Sequence, residues 1–96
     1  MKIYITETAL NSVQEIESYL LERFSVRTKN KFSENIKTVF TTISRNPYIG
    51  VSYKKIYRKF NYKKSIIFYR IHEEKHIYVT HVIDSRRNYN YILFTI

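Results

Sequence analysis

Apolar residues recur along this chain at changing spacings, and the changes mark its elements. Residues 2–6 (KIYIT) alternate and predict a short first strand. Leu10, Val13, Ile16, Leu20 and Phe24 then follow at intervals of three and four, one apolar stripe of a helix, while Asn11, Gln14, Glu15, Glu22 and Arg23 fall elsewhere on its surface. Thr6 is placed to cap that helix, with Glu7 favourable in its first turn. Ser25 is placed to cap a second helix with the stripe Phe32, Ile36, Val39 or Phe40, and Ile43. This helix must stop near Asn46, because Pro47 disfavours helical geometry in the residue before it. The tight join around Ser25 predicts an antiparallel helical hairpin whose stripes face the core.

Asn46-Pro47-Tyr48-Ile49-Gly50 holds the sequence's single Pro and single Gly and marks the turn out of the helices. Residues 54–60 (KKIYRKF) predict a strand with Ile56, Arg58 and Phe60 on one side, and Asn61-Tyr62 a turn. Residues 65–87 predict two adjacent strands around a polar turn at Glu73-Glu74-Lys75. In the first, Ser65, Ile67, Tyr69 and Ile71 share one face, and Ile66, Phe68, Arg70 and His72 the other. In the second, Ile77, Val79, His81 and Ile83 alternate with Tyr78, Thr80, Val82 and Asp84. Both faces carry apolar residues, so this pair belongs centrally in a sheet covered on at least one face by helices. Residues 88–96 (NYNYILFTI) are too apolar for a free tail; they pack as a last strand or short helix, or await a partner. The whole is one α+β domain, residues 1–96: an N-terminal strand and a helical hairpin on a mostly antiparallel sheet of about four strands.

Charge narrows the function. The formal net charge is +9, from 17 Lys+Arg against 8 Asp+Glu. Residues 1–50 hold seven Lys/Arg and five Glu, a net +2, whereas residues 51–96 hold ten Lys/Arg and three acids, a net +7. A basic half suggests a polyanionic partner, nucleic acid, a ribosome or an acidic protein; the other reading is a solvated surface that is simply basic. Seven of the ten Tyr follow residue 50 and suit base stacking and a β-sheet equally. There is no Cys, hence no disulfide framework. No run is long enough to span a membrane, and the N-terminus lacks a signal peptide's apolar stretch, so a cytoplasmic protein is expected.

Several motifs in order carry a family resemblance. The first helix reads A-x-x-x-V-x-x-I-x-x-Y-L from Ala9 through Val13, Ile16, Tyr19 and Leu20. Lys31-Phe32, Ile36 and Ile43 mark the second. Then come the Asn46-Pro47-x-x-Gly50 turn, a basic strand with Arg58, Phe68-Tyr69-Arg70-Ile71, and the closing Val82-Ile83-Asp84-Ser85-Arg86-Arg87-Asn88. Together they resemble the RelE/ParE superfamily of bacterial type II toxins, including its "plasmid stabilisation" members, over nearly the whole chain. The resemblance implies a cognate antitoxin that masks the basic surface, with Ile92, Leu93, Phe94 and Ile96 and the grooves between helices and sheet as candidate docking surfaces. It implies one of two modes of growth arrest: ParE-like inhibition of DNA gyrase, or RelE-like, ribosome-dependent cleavage of mRNA. A non-toxic basic nucleic-acid-binding module is the third reading.

Cleavage by the 2′-OH needs a base, cations for the phosphorane charge and an acid for the leaving oxygen. If the chain is an enzyme, it is a metal-independent endoribonuclease. Arg86 and Arg87 match the basic pair ending the last strand, and Tyr89 or Tyr91 the late Tyr of the cutting branch. That branch also places an Arg about three residues before its strand Tyr; here that position is Ile66. Lys63, Lys64 or Arg58 would have to substitute, and a flexible ammonium is no fork-shaped guanidinium. The nuclease set is therefore half present, which leans the reading towards gyrase. Arg58, Lys63, Lys64, Arg70, Arg86 and Arg87 are the expected target-binding cations, and replacing Arg86 and Arg87 with Ala is expected to abolish growth arrest with the fold intact. His81 reads as structural on an apolar face, His72 and His76 as solvated, and Asp84 as orienting Arg86. The three His lack metal-ligand spacing, so neither a metal nor a cofactor is expected.

Overall fold

Thr6 and Ser25 stand where the chain enters two helices, α1 (Glu7–Arg23) and α2 (Val26–Arg45), and each hydroxyl accepts the backbone N–H three residues on, from Ala9 at 3.2 Å and Thr28 at 3.1 Å. The computed structural model describes residues 1–87. Before α1 lies β1 (Lys2–Ile5); after α2 come β2 (Val51–Tyr53), β3 (Tyr57–Tyr62), β4 (Ser65–His72) and β5 (His76–Asp84). They form one sheet in the order β1-β5-β4-β3-β2, antiparallel throughout except for the parallel pair β1 and β5. The fold is α+β as expected, with five strands rather than about four.

The α2 stripe is as predicted: Phe32, Ile36, Val39 and Ile43 are buried. The α1 stripe starts one residue earlier than expected. Ala9, Ile16 and Leu20 are buried with Val13 packed alongside, while Leu10 is 49% and Phe24 52% exposed. Spacings of four, three and four from Ala9 keep the stripe on one line of the helix. Ile67 and Tyr69 of β4 and Ile77, Val79 and Val82 of β5 meet both stripes and complete the core.

Two strand readings change. Residues 54–60 do not form one strand: Lys54 and Lys55 take left-handed backbone angles (φ 45° and 67°) and turn the chain between β2 and β3. The next turn falls on Lys63 and Lys64 rather than Asn61 and Tyr62. In β5 the alternation is broken by one residue. Phe68 pairs with His81 and Tyr69 with Val79, so Thr80 is extra, a β-bulge whose hydroxyl donates to the Phe68 carbonyl at 3.2 Å. Val79 and Val82 therefore share the helix side, and His81 stands opposite Phe68 on the other face, not on the face of Ile77 and Val79.

Glu73 and Glu74 join β4 to β5 with φ of 51° and 55°. Two successive left-handed residues are a type I′ turn, which Asn-Gly fits without strain. The double substitution Glu73→Asn/Glu74→Gly is expected to stabilise the domain by about 1 kcal/mol, read as a rise in Tm of about 4–8 °C. An unchanged or lower Tm would show that the acidic side chains contribute more than the turn geometry costs.

Candidate functional site

The basic side chains expected to act on a target divide into two groups: those held by the chain itself and those left at the surface. Arg58 belongs to the first. It sits across from Tyr69 on the helix side of the sheet. Its Nε donates to the Gly50 carbonyl at 2.9 Å and its Nη2 to the Tyr48 carbonyl at 3.3 Å, with the guanidinium 5.1 Å from the Tyr48 ring centre. Tyr69 completes the clamp: its hydroxyl donates to the Pro47 carbonyl at 2.7 Å and accepts the Gly50 N–H at 2.9 Å. Burial pushes this phenol above its ordinary pKa, against the Gly50 N–H and the Arg58 charge. The 46–50 turn is thus bolted to the sheet, and Arg58 is one of the bolts.

Arg86 is engaged in the same way. Asp84 ends β5 with its side chain fully buried, and Arg86 grips it as a fork: Nε to Oδ1 at 2.9 Å and Nη2 to Oδ2 at 2.6 Å. The Arg86 backbone N–H also donates to Oδ1 at 2.9 Å, and the Tyr19 hydroxyl donates to the Arg86 carbonyl at 3.2 Å. The Asp84 hydrogen bond raises the Arg86 pKa further. Asp84 does orient Arg86, as its position suggested. Arg87 lies with its guanidinium 5.4 Å from the Tyr19 ring centre, which Arg23 approaches at 5.9 Å.

Lys63, Lys64 and Arg70 make up the second group. Lys63 and Lys64 are exposed on the β3–β4 turn, with the Lys63 ammonium 5.8 Å from the Tyr62 ring centre. Arg70 lies opposite Tyr78 on the sheet face away from the helices, and Tyr78 stacks on Tyr4 with ring centres 5.5 Å apart. Ile66, where the cutting branch has an Arg, lies between Asn61 and Ile83. Tyr89, Tyr91, Ile92, Leu93, Phe94 and Ile96 lie outside the described residues.

His81 packs edge-on to Phe68 at 6.4 Å, and its buried Nδ1 has no hydrogen-bond partner among the described residues. Burial pushes its pKa below the usual value, favouring the neutral ring in the native state. The unfolded chain binds its proton near pH 6.5, so native stability falls as pH drops through that value. Tm is expected to fall between about pH 7.5 and 5.5, and less steeply in His81→Phe. Parallel curves for the two proteins would remove His81 as the cause.

Sequence reasoning missed two basic residues. Arg27 and Lys31, exposed on α2, line a cleft of about 380 Å³ together with Lys63, Lys64 and Arg86. Their spacing of four on a helix is the available signal; Lys31 enters the sequence reading only as part of the family motif, and Arg27 not at all.

Comparison with known proteins agrees with this architecture. A family model described as the ParE toxin of the type II toxin–antitoxin system, parDE, matches residues 3–89. No curated protein matches the chain. Among solved structures, the toxin–antitoxin complex RelBE2 from Mycobacterium tuberculosis superposes with a TM-score of 0.64 at 15% identity, covering 86% of this chain and 95% of that one, a likeness of fold. With the family match running from the first strand past the Asp84–Arg86 fork, the chain belongs to the ParE toxin family of type II toxin–antitoxin systems.

Proposed function

We propose that this toxin arrests growth by inhibiting DNA gyrase, in the cytoplasm, and that a cognate antitoxin neutralises it. One observation carries the choice of target: Arg58 and Arg86, two of the guanidinium groups on which RNA cleavage would depend, are already engaged, which leaves Arg87 of the basic pair without its neighbour. Arg58 donates to the carbonyls of Gly50 and Tyr48, and Arg86 grips Asp84. Neither points a free fork at a scissile phosphate, and Ile66 supplies no charge. Gyrase inhibition asks for less, a cationic and aromatic surface that meets a large protein–DNA complex. Lys63 and Lys64 beside Tyr62 at the β3–β4 turn, and Arg70 beside Tyr78 on the sheet face away from the helices, supply cations and rings of that kind. The family match supports the same reading.

The test is a supercoiling assay with purified gyrase and relaxed plasmid, run beside primer extension on an mRNA in a purified translation system. Loss of supercoiling without ribosome-dependent cuts is expected. Cuts in codon register would overturn the proposal in favour of mRNA cleavage. Nucleic-acid binding with neither effect would reduce the chain to a binding module.

A further inference from the structure

Tyr19, the tyrosine of the α1 motif, reaches across to the chain that leaves β5 and touches it twice. Its hydroxyl donates to the Arg86 carbonyl at 3.2 Å, and its ring centre lies 5.4 Å from the Arg87 guanidinium. Asp84 holds the same turn from within the fold: its carboxylate accepts the Arg86 N–H at 2.9 Å, and its carbonyl accepts the Arg87 N–H at 3.1 Å. The backbone at Arg86 and Arg87 is therefore fixed by both residues. The freedom left to Arg87 is that of its side chain.

Arg87 is the member of the basic pair whose charge no acid takes up. Glu15 and Glu22 line the same recess beside α1, yet no carboxylate comes within 4.0 Å of the Arg87 guanidinium among the described residues. What holds the guanidinium is the Tyr19 ring. Arg23, one turn further along α1, approaches that ring at 5.9 Å, so two guanidinium groups gather on one tyrosine. A guanidinium seated over a ring keeps its N–H edges for a partner. A long side chain that is already ordered also loses less freedom when the partner arrives.

We propose that Tyr19 is a positioning residue whose ring aims Arg87 at the target, and that Arg87 alone of the basic pair makes the contact. Tyr19 acts through Arg87. The Arg86 fork on Asp84 anchors the arrangement and is not part of the working surface. The inference rests on the proposed toxin activity, with Arg87 as a target contact, and not on the choice of gyrase.

Two measurements on the full chain test this. The first is NMR of the arginine side chains. The ring current of Tyr19 is expected to move the Arg87 side-chain protons upfield, in wild type and in Tyr19→Phe but not in Tyr19→Leu. Arg87 protons at unperturbed positions in wild type would overturn the proposal. The second is the amount of toxin that halves the growth rate of cells. Arg87→Ala is expected to raise it at least about tenfold. Tyr19→Leu is expected to raise it about three- to tenfold, and Tyr19→Phe or Tyr19→Trp, which keep an aromatic face, less than about twofold. In the Arg87→Ala background, Tyr19→Leu should add less than about twofold, because the residue it places is gone. Tyr19 is half-buried, so circular dichroism and Tm check that each variant folds. Arg87→Lys perturbs the contact without touching Tyr19: it keeps the charge, loses the flat group, and should raise the amount about threefold at unchanged Tm. Equal losses from Tyr19→Leu in both backgrounds would reduce the ring to a support of stability and overturn the proposal. Undiminished arrest by Arg87→Ala would remove Arg87 from the target surface, and the role of Tyr19 with it. Growth is read without reference to gyrase, so a failed supercoiling assay leaves the result standing. A wild-type chain that arrests no growth overturns the toxin reading itself, and this inference falls with it.

Discussion

Replacing Arg86 with Ala is expected to destabilise the domain by about 3–5 kcal/mol, because it strands the buried Asp84 carboxylate without its partner. For a chain of this size that is a fall in Tm of more than about 12 °C, and a large share of the roughly 5–14 kcal/mol that such a domain has in total. Arg86→Lys keeps the charge but not the fork and should fall between. Asp84→Ala/Arg86→Ala should recover part of the loss, since removing both partners leaves no unpaired buried charge. Urea unfolding of the four proteins is the check. A drop in Tm below about 5 °C for Arg86→Ala would mean that solvent reaches Asp84 readily. This changes what the double substitution of Arg86 and Arg87 can report. The sequence led us to expect a folded but inactive protein; the fork makes lost growth arrest in that variant attributable to unfolding. Arg87→Ala alone separates target contact from stability.

Tyr69→Phe is the second large effect. It removes one hydroxyl and two hydrogen bonds, leaving the Gly50 N–H and the Pro47 carbonyl unpaired against the sheet. With about 1–3 kcal/mol for each buried group left unsatisfied, the expected loss is about 2–4 kcal/mol, or a Tm lower by at least about 8 °C. Gly50→Ala attacks the same clamp from the other side. A Cβ there would stand 2.7 Å from the Tyr69 hydroxyl and 2.9 Å from Cε1, and a ring with no exposed surface has nowhere to go. Gly50 is required for close approach rather than for an unusual backbone angle. Thermal unfolding of both variants checks the clamp. A Tyr69→Phe protein as stable as wild type would show that water replaces the hydroxyl.

The helices were legible in the sequence because their signals are local. Thr6 and Ser25 cap, Pro47 stops, and Phe32, Ile36, Val39 and Ile43 repeat with the helical period. Leu10 misled because both it and Ala9 fit an apolar stripe, and only packing against β5 chooses between them. The bulge at Thr80 was visible only as the interval of three between Val79 and Val82, which an assumed alternation conceals. β2 is three residues long with Val51 72% exposed, and its turn uses Lys54 and Lys55, neither a usual turn former. The site was harder to read. A cation's partner is set by tertiary approach: nothing near Arg58 in the chain announces the Gly50 carbonyl. Asp84 and Arg86 are two residues apart, and there the sequence did suggest the contact.

The parallel pairing of β1 with β5 sets the order in which the molecule can be made. Thr6 donates through its hydroxyl to the Val79 carbonyl at 2.9 Å across 73 residues of chain. At about 5–20 residues per second on a ribosome, the first strand waits about 4–15 s for its neighbour to be synthesised. Until then α1 lacks the strand it packs against, and Asp84 and Arg86 do not yet exist. A product cut short before β5 lacks the strand that joins β1 to β4 and the fork together. The poison is therefore assembled late in its own translation, and interrupted synthesis yields an unfolded fragment instead of a partly active one.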